Sequence, residues 1–287
     1  MDTKINDITI SDTSLSNFLS LLSQEFGADY SGYSKTFVAR RLQGFLVSQG
    51  FDSLEILICY LRQKPQILAE IQKELSINYT EMFRNPGFFY SIRKRVFPFL
   101  ATYPTLKIWH AGCSTGEEVF SLAILLQEVG LLDRTKIYAT DKDSGVLNKA
   151  STAIFDTSRM QEYTANYYSS GGNSEFSNYY SSGYGQLKFQ ENLRRSISFQ
   201  QHDLLADGPL QKFNLIFCRN VMIYFSPELQ NKVVGTLCSS LSNLGYLGLG
   251  ATETLSFNKY RHEFATIDKS ERIYRKVSLS EWRNCKN

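Results

Sequence analysis

The chain has 287 residues, 43% of them hydrophobic and 21% charged, which is the composition of an ordinary globular protein. A net charge of +3 is too small to indicate a nucleic-acid partner. No apolar run approaches the roughly 18 residues of a membrane span, and the polar N-terminus lacks the apolar core of a signal peptide, so we expect a cytoplasmic protein without membrane insertion.

The first predicted elements are helices, and they form a small helical domain over residues 1–76. Apolar residues at helical spacing predict a segment that Asp12 or Ser14 caps and Gly27 ends. A second segment runs from Lys35 to Gln49, and two shorter ones cover 53–63 and 66–76. The side of the second segment opposite its apolar residues carries three basic residues: Lys35, Arg40 and Arg41.

Residues 77–105 form an interdomain segment that mixes polar and aromatic side chains, and linkers are rarely so aromatic. We expect it to pack on the rest of the protein.

Strands and helices alternate over residues 106–287. The predicted strands are 106–110, 136–141, 196–201, 213–218, 245–251 and 271–277, and the predicted helices are 118–129, 143–150 and 226–242. This order predicts an α/β domain with a mostly parallel sheet and right-handed crossovers.

An insertion of about residues 163–195 interrupts this rhythm. It holds a near-repeat, Asn166-Tyr-Tyr-Ser-Ser-Gly-Gly and Asn178-Tyr-Tyr-Ser-Ser-Gly-Tyr. Its composition favours a mobile loop made by local duplication. The alternative is a tyrosine-rich contact surface for a partner.

A glycine turn after the first strand indicates the cofactor. The turn is Gly112-Cys-Ser-Thr-Gly116, followed by Glu117 and Glu118. Two carboxylates would repel a pyrophosphate, and no Lys-Ser/Thr pair follows as in a P-loop. S-adenosylmethionine (SAM) is cationic and has no phosphate, so it suits an acidic turn. The alternative is that the two acids only complement the helix dipole.

Other polar residues end later strands of the predicted sheet, where ligands bind in open α/β folds. Asp141 ends the second strand and can accept hydrogen bonds from ribose hydroxyls, although Asp141 or Asp143 would also suit a helix N-cap. Asp203 and Leu204 suit an adenine ring. Arg219 and Asn220 follow the fourth strand, and Tyr224 comes soon after.

The five cysteines and three histidines show no metal-binding or disulfide spacing, so we expect no metal site. The cysteines are Cys59, Cys113, Cys218, Cys238 and Cys285.

Four stretches resemble the CheR family of chemotaxis receptor glutamate O-methyltransferases. They are Ile77-Asn-Tyr-Thr-Glu-Met-Phe-Arg84, Trp109-His-Ala-Gly-Cys-Ser-Thr-Gly-Glu-Glu118, Cys218-Arg-Asn-Val-Met-Ile-Tyr-Phe225 and Gly250-Ala-Thr-Glu253. The resemblance implies a class I SAM-dependent methyltransferase with a seven-stranded sheet, an all-helical N-terminal domain and a small inserted β-subdomain. Two positions differ from the family pattern: Asp203 stands where most members have Asn, and Val119-Phe120 replaces Pro-Tyr.

The resemblance also implies roles for matching residues. Asn78, Thr80 and Arg84 would reach over the cofactor. Gly112 would allow its close approach, Glu117 or Glu118 would hold the SAM ammonium, and Asp141 would hold the ribose. Asp203 and Leu204 would flank the adenine. Arg219, Asn220 and Tyr224 would lie near the sulfonium, with Arg84 and Tyr224 orienting the acceptor carboxylate.

The implied activity is methylation of glutamate side chains on chemotaxis receptors, with S-adenosylhomocysteine as the second product. The receptor helices would dock on Lys35, Arg40 and Arg41. The alternatives are a methyltransferase acting on another signalling protein and a non-catalytic SAM-binding sensor or scaffold. An adenine methyltransferase would carry Asp/Asn-Pro-Pro-Tyr where this chain has Arg219-Asn-Val-Met222.

Overall fold

The structure is a computed structural model that describes residues 8–75 and 79–277. The described chain divides into two compact units. The first holds residues 8–75 and Tyr224–Leu229, and the second holds residues 79–223 and 230–277. The predicted boundary at residues 76 and 77 and the candidate Asn78 lie outside the described residues.

The first unit is built from four helices: α1 (Asp12–Phe26), α2 (Lys35–Gln49), α3 (Leu54–Gln63) and α4 (Ile67–Leu75). Their ends follow local chemistry. The side chains of Ser34 and Ser53 accept backbone N–H groups at the starts of α2 and α3, and Gly27 and Gly50 end α1 and α2 in the left-handed conformation. The cap of α1 is Ser11, so the predicted caps Asp12 and Ser14 are wrong.

The basic residues of α2 do not share one face. At about 100° per residue, Lys35 and Arg40 are about 140° apart and Arg41 lies a further 100° on. Lys35 and Arg40 are exposed, whereas Arg41 is half-buried and pairs with Glu74 at 3.2 Å. The prediction of a single basic face is therefore wrong.

Residues 86–100 pack closely, as their aromatic content predicts. α5 (Pro86–Ser91), a π-helical turn (Ile92–Val96) and α6 (Phe97–Leu100) follow one another without a break. Phe88, Phe89 and Phe97 are buried in the core of the second unit.

The second unit contains a seven-stranded sheet. Its strands are β1 (Leu106–Ala111), β2 (Thr135–Asp141), β6 (Ile197–Gln201), β7 (Phe213–Cys218), β8 (Leu241–Leu249), β9 (Phe264–Asp268) and β10 (Ile273–Lys276). The spatial order is β6-β2-β1-β7-β8-β10-β9. The first five are parallel, and β10 is antiparallel to both of its neighbours. The predicted mostly parallel sheet is confirmed. The sequence patterns missed β9.

Three helices connect the parallel strands, as the predicted alternation requires. They are α7 (Glu117–Glu128), α8 (Ser144–Thr152) and α11 (Pro227–Ser240). The long apolar run of α7 is buried from Val119 to Leu126. Helix α7 therefore crosses the core of the second unit.

The insertion contains a three-stranded antiparallel sheet in the order β3-β5-β4. Its elements are β3 (Ile154–Asp156), α9 (Met160–Ser169), a 3₁₀ turn (Phe176–Tyr179), β4 (Tyr180–Gly183), β5 (Gln186–Phe189) and α10 (Glu191–Arg195). The expected β-subdomain is present. Its first strand begins at Ile154, before the predicted start at residue 163.

The near-repeat is not a mobile loop, so that prediction is wrong. Its copies fall on the end of α9 and on the 3₁₀ turn and β4. Tyr167 and Tyr179, the second residue of each copy, are buried, and both hydroxyls donate to Oε1 of Glu128, from Tyr179 at 2.8 Å. Arg93 pairs with the other oxygen of Glu128. Each copy thus supplies one hydroxyl to the same buried carboxylate.

Among residues 8–75 and 79–277, no single helix is both long and apolar enough to cross a membrane. One bent pair, α2 with α3, meets the length and composition criteria across a 69° bend. Most apolar side chains of this pair are core residues of the helical unit, whereas Val47 and Ile56 are exposed.

Candidate functional site

The polar loops gather at one edge of the large sheet because β1, β2, β6 and β7 are parallel neighbours. The turn after β1 is tied to the end of β2, since the N–H groups of Gly112 and Cys113 donate to the carbonyl of Thr140 at 2.8 and 2.9 Å. Gly112 has φ +79°, and a Cβ there would lie 2.5 Å from Cγ2 of Val221. Only glycine lets the turn approach the loop after β7 this closely.

Asp141 is the last residue of β2 and accepts hydrogen bonds from the loops that follow β1 and β2. Its Oδ2 accepts the N–H of Ser114 at 2.9 Å, and its Oδ1 accepts the N–H of Asp143 at 3.1 Å. Asp143 caps α8 by accepting the N–H of Gly145 at 2.7 Å. The capping role therefore belongs to Asp143. Burial raises the pKa of Asp141 and its two backbone hydrogen bonds only partly oppose that rise.

Glu117 and Glu118 are neighbours with different surroundings. Glu118 accepts a 2.6 Å hydrogen bond from Nη1 of Arg219 and lies 3.2 Å from Nδ1 of His110. Burial alone would raise the pKa of Glu118, but Arg219 and His110 lower it on balance. The partner of Glu117 is a neutral hydroxyl, Oγ1 of Thr115 at 2.6 Å, and burial raises the pKa of Glu117.

The guanidinium of Arg219 is directed at protein groups. Its side chain is 1% exposed. Besides Glu118, it donates to the carbonyl of Arg84 at 3.0 Å and to Oδ1 of Asn85 at 3.1 Å, and it lies 4.0 Å from the ring centroid of Phe88. These contacts hold Arg219 against Glu118 and the segment of residues 84–85. Its contact with the cofactor stays a prediction.

The loop after β7 is held by Glu253, whose role the sequence reasoning did not assign. Its Oε2 accepts the N–H of Asn220 at 2.9 Å, and its Oε1 accepts those of Val221 and Met222 at 3.1 and 2.7 Å. Asn220 has φ +59°, a conformation that needs such support. The motif Gly250-Ala-Thr-Glu253 was the available signal.

Residues 79–85 are fastened to α7. The N–H of Phe83, at φ +53°, donates to Oγ of Ser121 at 2.9 Å, and Ser121 donates to the carbonyl of Glu117 at 2.7 Å. Arg84 is half-buried, and its Nη1 donates to the carbonyl of Tyr79 at 3.3 Å. Thr80 is also half-buried. The segment that carries Thr80 and Arg84 is therefore built against the helix that carries Glu117.

The remaining candidates, Asp203, Leu204 and Tyr224, lie in different surroundings. Asp203 follows β6 and accepts the N–H of Leu205 at 2.8 Å, and Leu204 beside it is buried. Tyr224 groups with the helical unit and packs on Phe37, with ring centroids 4.6 Å apart. The roles of these residues stay predictions.

Phe120, which departs from the family pattern, is a core residue. Its ring stacks on Phe189 of β5 with centroids 5.0 Å apart and also contacts Phe155 of β3. It therefore joins α7 to the inserted sheet, which needs no hydroxyl. Over the described parts of the chain, no group of three or more His, Cys, Asp or Glu side chains is placed to hold a metal ion.

A seven-stranded sheet with an acidic glycine turn after β1 and an acid at the end of β2 defines a SAM-dependent methyltransferase of class I. The chain belongs to the CheR methyltransferase family. Residues 78–273 match the family model "CheR methyltransferase, SAM binding domain", and residues 13–76 match "CheR methyltransferase, all-alpha domain". The family resemblance drawn from the four motifs is confirmed, and the cofactor is SAM.

Three curated relatives match along nearly their whole lengths. The chain is 39% identical to the methyltransferase Cher3 of Pseudomonas putida, over 88% of this chain and 92% of the relative. It is 30% identical to chemotaxis protein methyltransferase 1 of Vibrio cholerae, over 87% and 92%. It is 28% identical to the chemotaxis protein methyltransferase of Listeria monocytogenes, over 88% and 93%.

Proposed function

We propose that this methyltransferase transfers the methyl group of SAM to glutamate side chains of chemotaxis receptors in the cytoplasm, forming methyl esters. Relatives named as chemotaxis protein methyltransferases support this proposal. The structural observation that supports its cofactor half is the contrast between adjacent acids: Glu118 is paired with Arg219, whereas Glu117 is half-buried and accepts from a neutral hydroxyl.

The acids of the turn fit a cationic cofactor. Burial raises the pKa values of both Glu117 and Asp141, because each carboxylate loses hydration that no basic side chain fully replaces. A ligand cation at Glu117 offsets that loss. We assign the SAM ammonium to Glu117 and the ribose hydroxyls to Asp141, with Asp203 and Leu204 beside the adenine. Glu118 is committed to Arg219 and is not assigned to the cofactor.

The reaction needs no general base. A glutamate acceptor has a pKa of about 4.3 and is ionised at neutral pH. Two of the described histidines are already engaged, since His110 faces Glu118 at 3.2 Å and His202 lies 3.0 Å from the carbonyl of Gly208. When bound, SAM supplies a methyl group on a positively charged sulfonium.

The chain's own task is to orient the acceptor and exclude water. We assign the orientation of its carboxylate to Arg84 and Tyr224, and the shape of the loop beside it to Asn220. The backbone hydrogen bonds to Glu253 hold that loop in place before any substrate arrives.

The partner would be an acidic helix of the receptor that docks on α2. Of the three predicted basic residues, Lys35 and Arg40 are exposed, whereas Arg41 pairs with Glu74. Lys35 donates to Oγ of Ser16 at 3.5 Å, so we take Arg40 as the contact to test. Arg40→Glu should lower methylation of a receptor fragment without changing SAM affinity, whereas Lys64→Glu, at the end of α3, should change neither.

Transfer of radiolabelled methyl groups tests the proposal. The protein is incubated with labelled SAM, a receptor cytoplasmic fragment and, separately, nucleic acid. Base-labile label on receptor glutamates is the expected result. Label on another signalling protein or on nucleic acid, or no transfer despite SAM binding, would contradict the proposal and favour a different substrate or a SAM-binding sensor.

A further inference from the structure

Arg159 links the insertion to the segment that precedes the large sheet. It stands immediately before α9, and its Nη2 donates to Oε2 of Glu81 at 2.6 Å and to the hydroxyl of Tyr79 at 2.9 Å. Its Nε donates to Glu162 at 3.0 Å. The guanidinium carbon lies 5.3 and 5.2 Å from the ring centroids of Tyr79 and Tyr163. These contacts fix Arg159 on several sides.

The same segment has a second contact with α9 and one with α7. Asn166 of α9 donates from Nδ2 to the carbonyl of Met82 at 3.3 Å. The N–H of Phe83 donates to Ser121 of α7. Residues 79–85 are thus held on one side by the helix that carries Glu117 and on the other by the first helix of the insertion.

The positive charge of Arg159 also acts on Glu117, the acid assigned to the SAM ammonium. Burial raises the pKa of Glu117, and the positive charge of Arg159 opposes that rise. Glu81 and Glu162 balance much of the charge of Arg159. Arg159 thus forms its ion pairs with these two acids, while the carboxylate of Glu117 accepts from the hydroxyl of Thr115.

We propose that Arg159 is a positioning residue for SAM. It couples the inserted subdomain to residues 79–84, which carry Thr80 and Arg84, and it sets how tightly the cofactor is held. The inference rests on the proposed role of that segment over SAM. It gives the insertion a part in cofactor binding in addition to any part in partner docking.

The test compares three substitutions in the full chain. Arg159→Met removes the guanidinium and keeps an apolar stem, Arg159→Lys keeps the charge, and Glu81→Gln removes the charge of the acceptor. Arg194→Met is the matched control, because Arg194 lies in the same insertion, donates to the carbonyl of Ser151 at 2.9 Å and pairs with Glu191. The measurements are the SAM dissociation constant by calorimetry and amide exchange of residues 79–85 without cofactor.

Arg159→Met should weaken SAM binding about tenfold, the effect of losing one charge-assisted contact, and should speed exchange in residues 79–85. Glu81→Gln should act in the same direction, Arg159→Lys should restore most of the affinity, and Arg194→Met should match the wild type. Wild-type affinity and exchange in Arg159→Met, or an equal loss in Arg194→Met, would overturn the proposal.

The outcome is independent of the receptor, since neither measurement uses one. A wild-type protein that binds SAM but methylates no receptor would refute the proposed substrate and leave the test of Arg159 intact. If Arg159→Met does not fold, Glu81→Gln still decides the matter: unchanged SAM affinity in Glu81→Gln would refute the role of Arg159.

Discussion

Glu117→Gln should weaken SAM binding and leave stability unchanged, whereas Glu118→Gln, at the next residue, should lower stability and affect SAM binding much less. The amide in Glu117→Gln removes the charge assigned to the SAM ammonium but still accepts the 2.6 Å hydrogen bond from Thr115. A hydrogen bond to a charged group contributes about 1.5–3 kcal/mol, so the dissociation constant for SAM should rise by about tenfold to a hundredfold. The melting temperature should stay close to that of the wild type.

Glu118→Gln should have the reverse effect. It leaves the guanidinium of Arg219, which is 1% exposed, without its counter-charge. Breaking a buried ion pair costs about 3–5 kcal/mol, and a chain of this size should melt roughly 10 °C lower as a result. SAM affinity, measured below the new melting temperature, should fall much less than in Glu117→Gln.

Titration calorimetry and thermal unfolding on both variants check this pair of expectations. Wild-type SAM affinity in Glu117→Gln would refute the assignment of the ammonium to Glu117. A Glu118→Gln variant that keeps its melting temperature but loses SAM would show that the choice between the two acids is reversed.

Three further predictions concern pH, the loop after β7 and the near-repeat. Burial raises the pKa of Glu117, so SAM affinity should be full above that raised pKa and should fall as the pH drops through it. The fall should begin above the ordinary glutamate pKa of about 4.3. A SAM affinity that calorimetry finds constant over this pH range would contradict the prediction. Glu253→Gln should leave N–H groups of the loop without an acceptor and cost about 2 kcal/mol in denaturant unfolding, with lower turnover. Tyr167→Phe and Tyr179→Phe should each cost about 1.5–3 kcal/mol, and the double variant should depart from additivity because both hydroxyls donate to Glu128.

Local signals made most helices and most strands of the large sheet predictable, whereas α5, α6, α9 and α10 were not predicted. Both ends of α2 follow from Ser34 and Gly50, which act within one turn of the helix. The predicted strands β1 and β7 are apolar and mostly buried, as parallel strands covered on both faces require. β9 was missed because Phe264–Asp268 is short and only its first residue is buried.

Contacts distant in sequence decided the rest. The expectation that ligands bind at the carboxyl ends of parallel strands brings Asp141 and the glycine turn together. It does not distinguish Glu117 from Glu118. That distinction depends on Arg219, 101 residues further along the chain. The support that Glu253 gives to Asn220 spans 33 residues. Neither link has a local pattern, so composition and periodicity do not predict them.

The near-repeat was predicted as a loop because its composition does not show a contact that is distant in sequence. Ser, Gly and Tyr in that proportion are typical of loops, yet the copies are ordered because Tyr167 and Tyr179 reach Glu128. The sequence showed two similar segments but not the shared acceptor.

Glu128 has a consequence for how this insertion can change over time. It is the last residue of α7, where a negative charge opposes the helix dipole, and Arg93 with two tyrosine hydroxyls offsets that charge. One tyrosine from each copy of the repeat donates to Glu128, so the two copies are linked through a residue that lies outside the repeat. Substitution of Glu128 by an apolar residue would release both tyrosines together. Related chains should therefore keep or lose the acid and the paired tyrosines as a set, and Gly172, where a Cβ would lie 2.4 Å from the Tyr167 ring, should be kept with them.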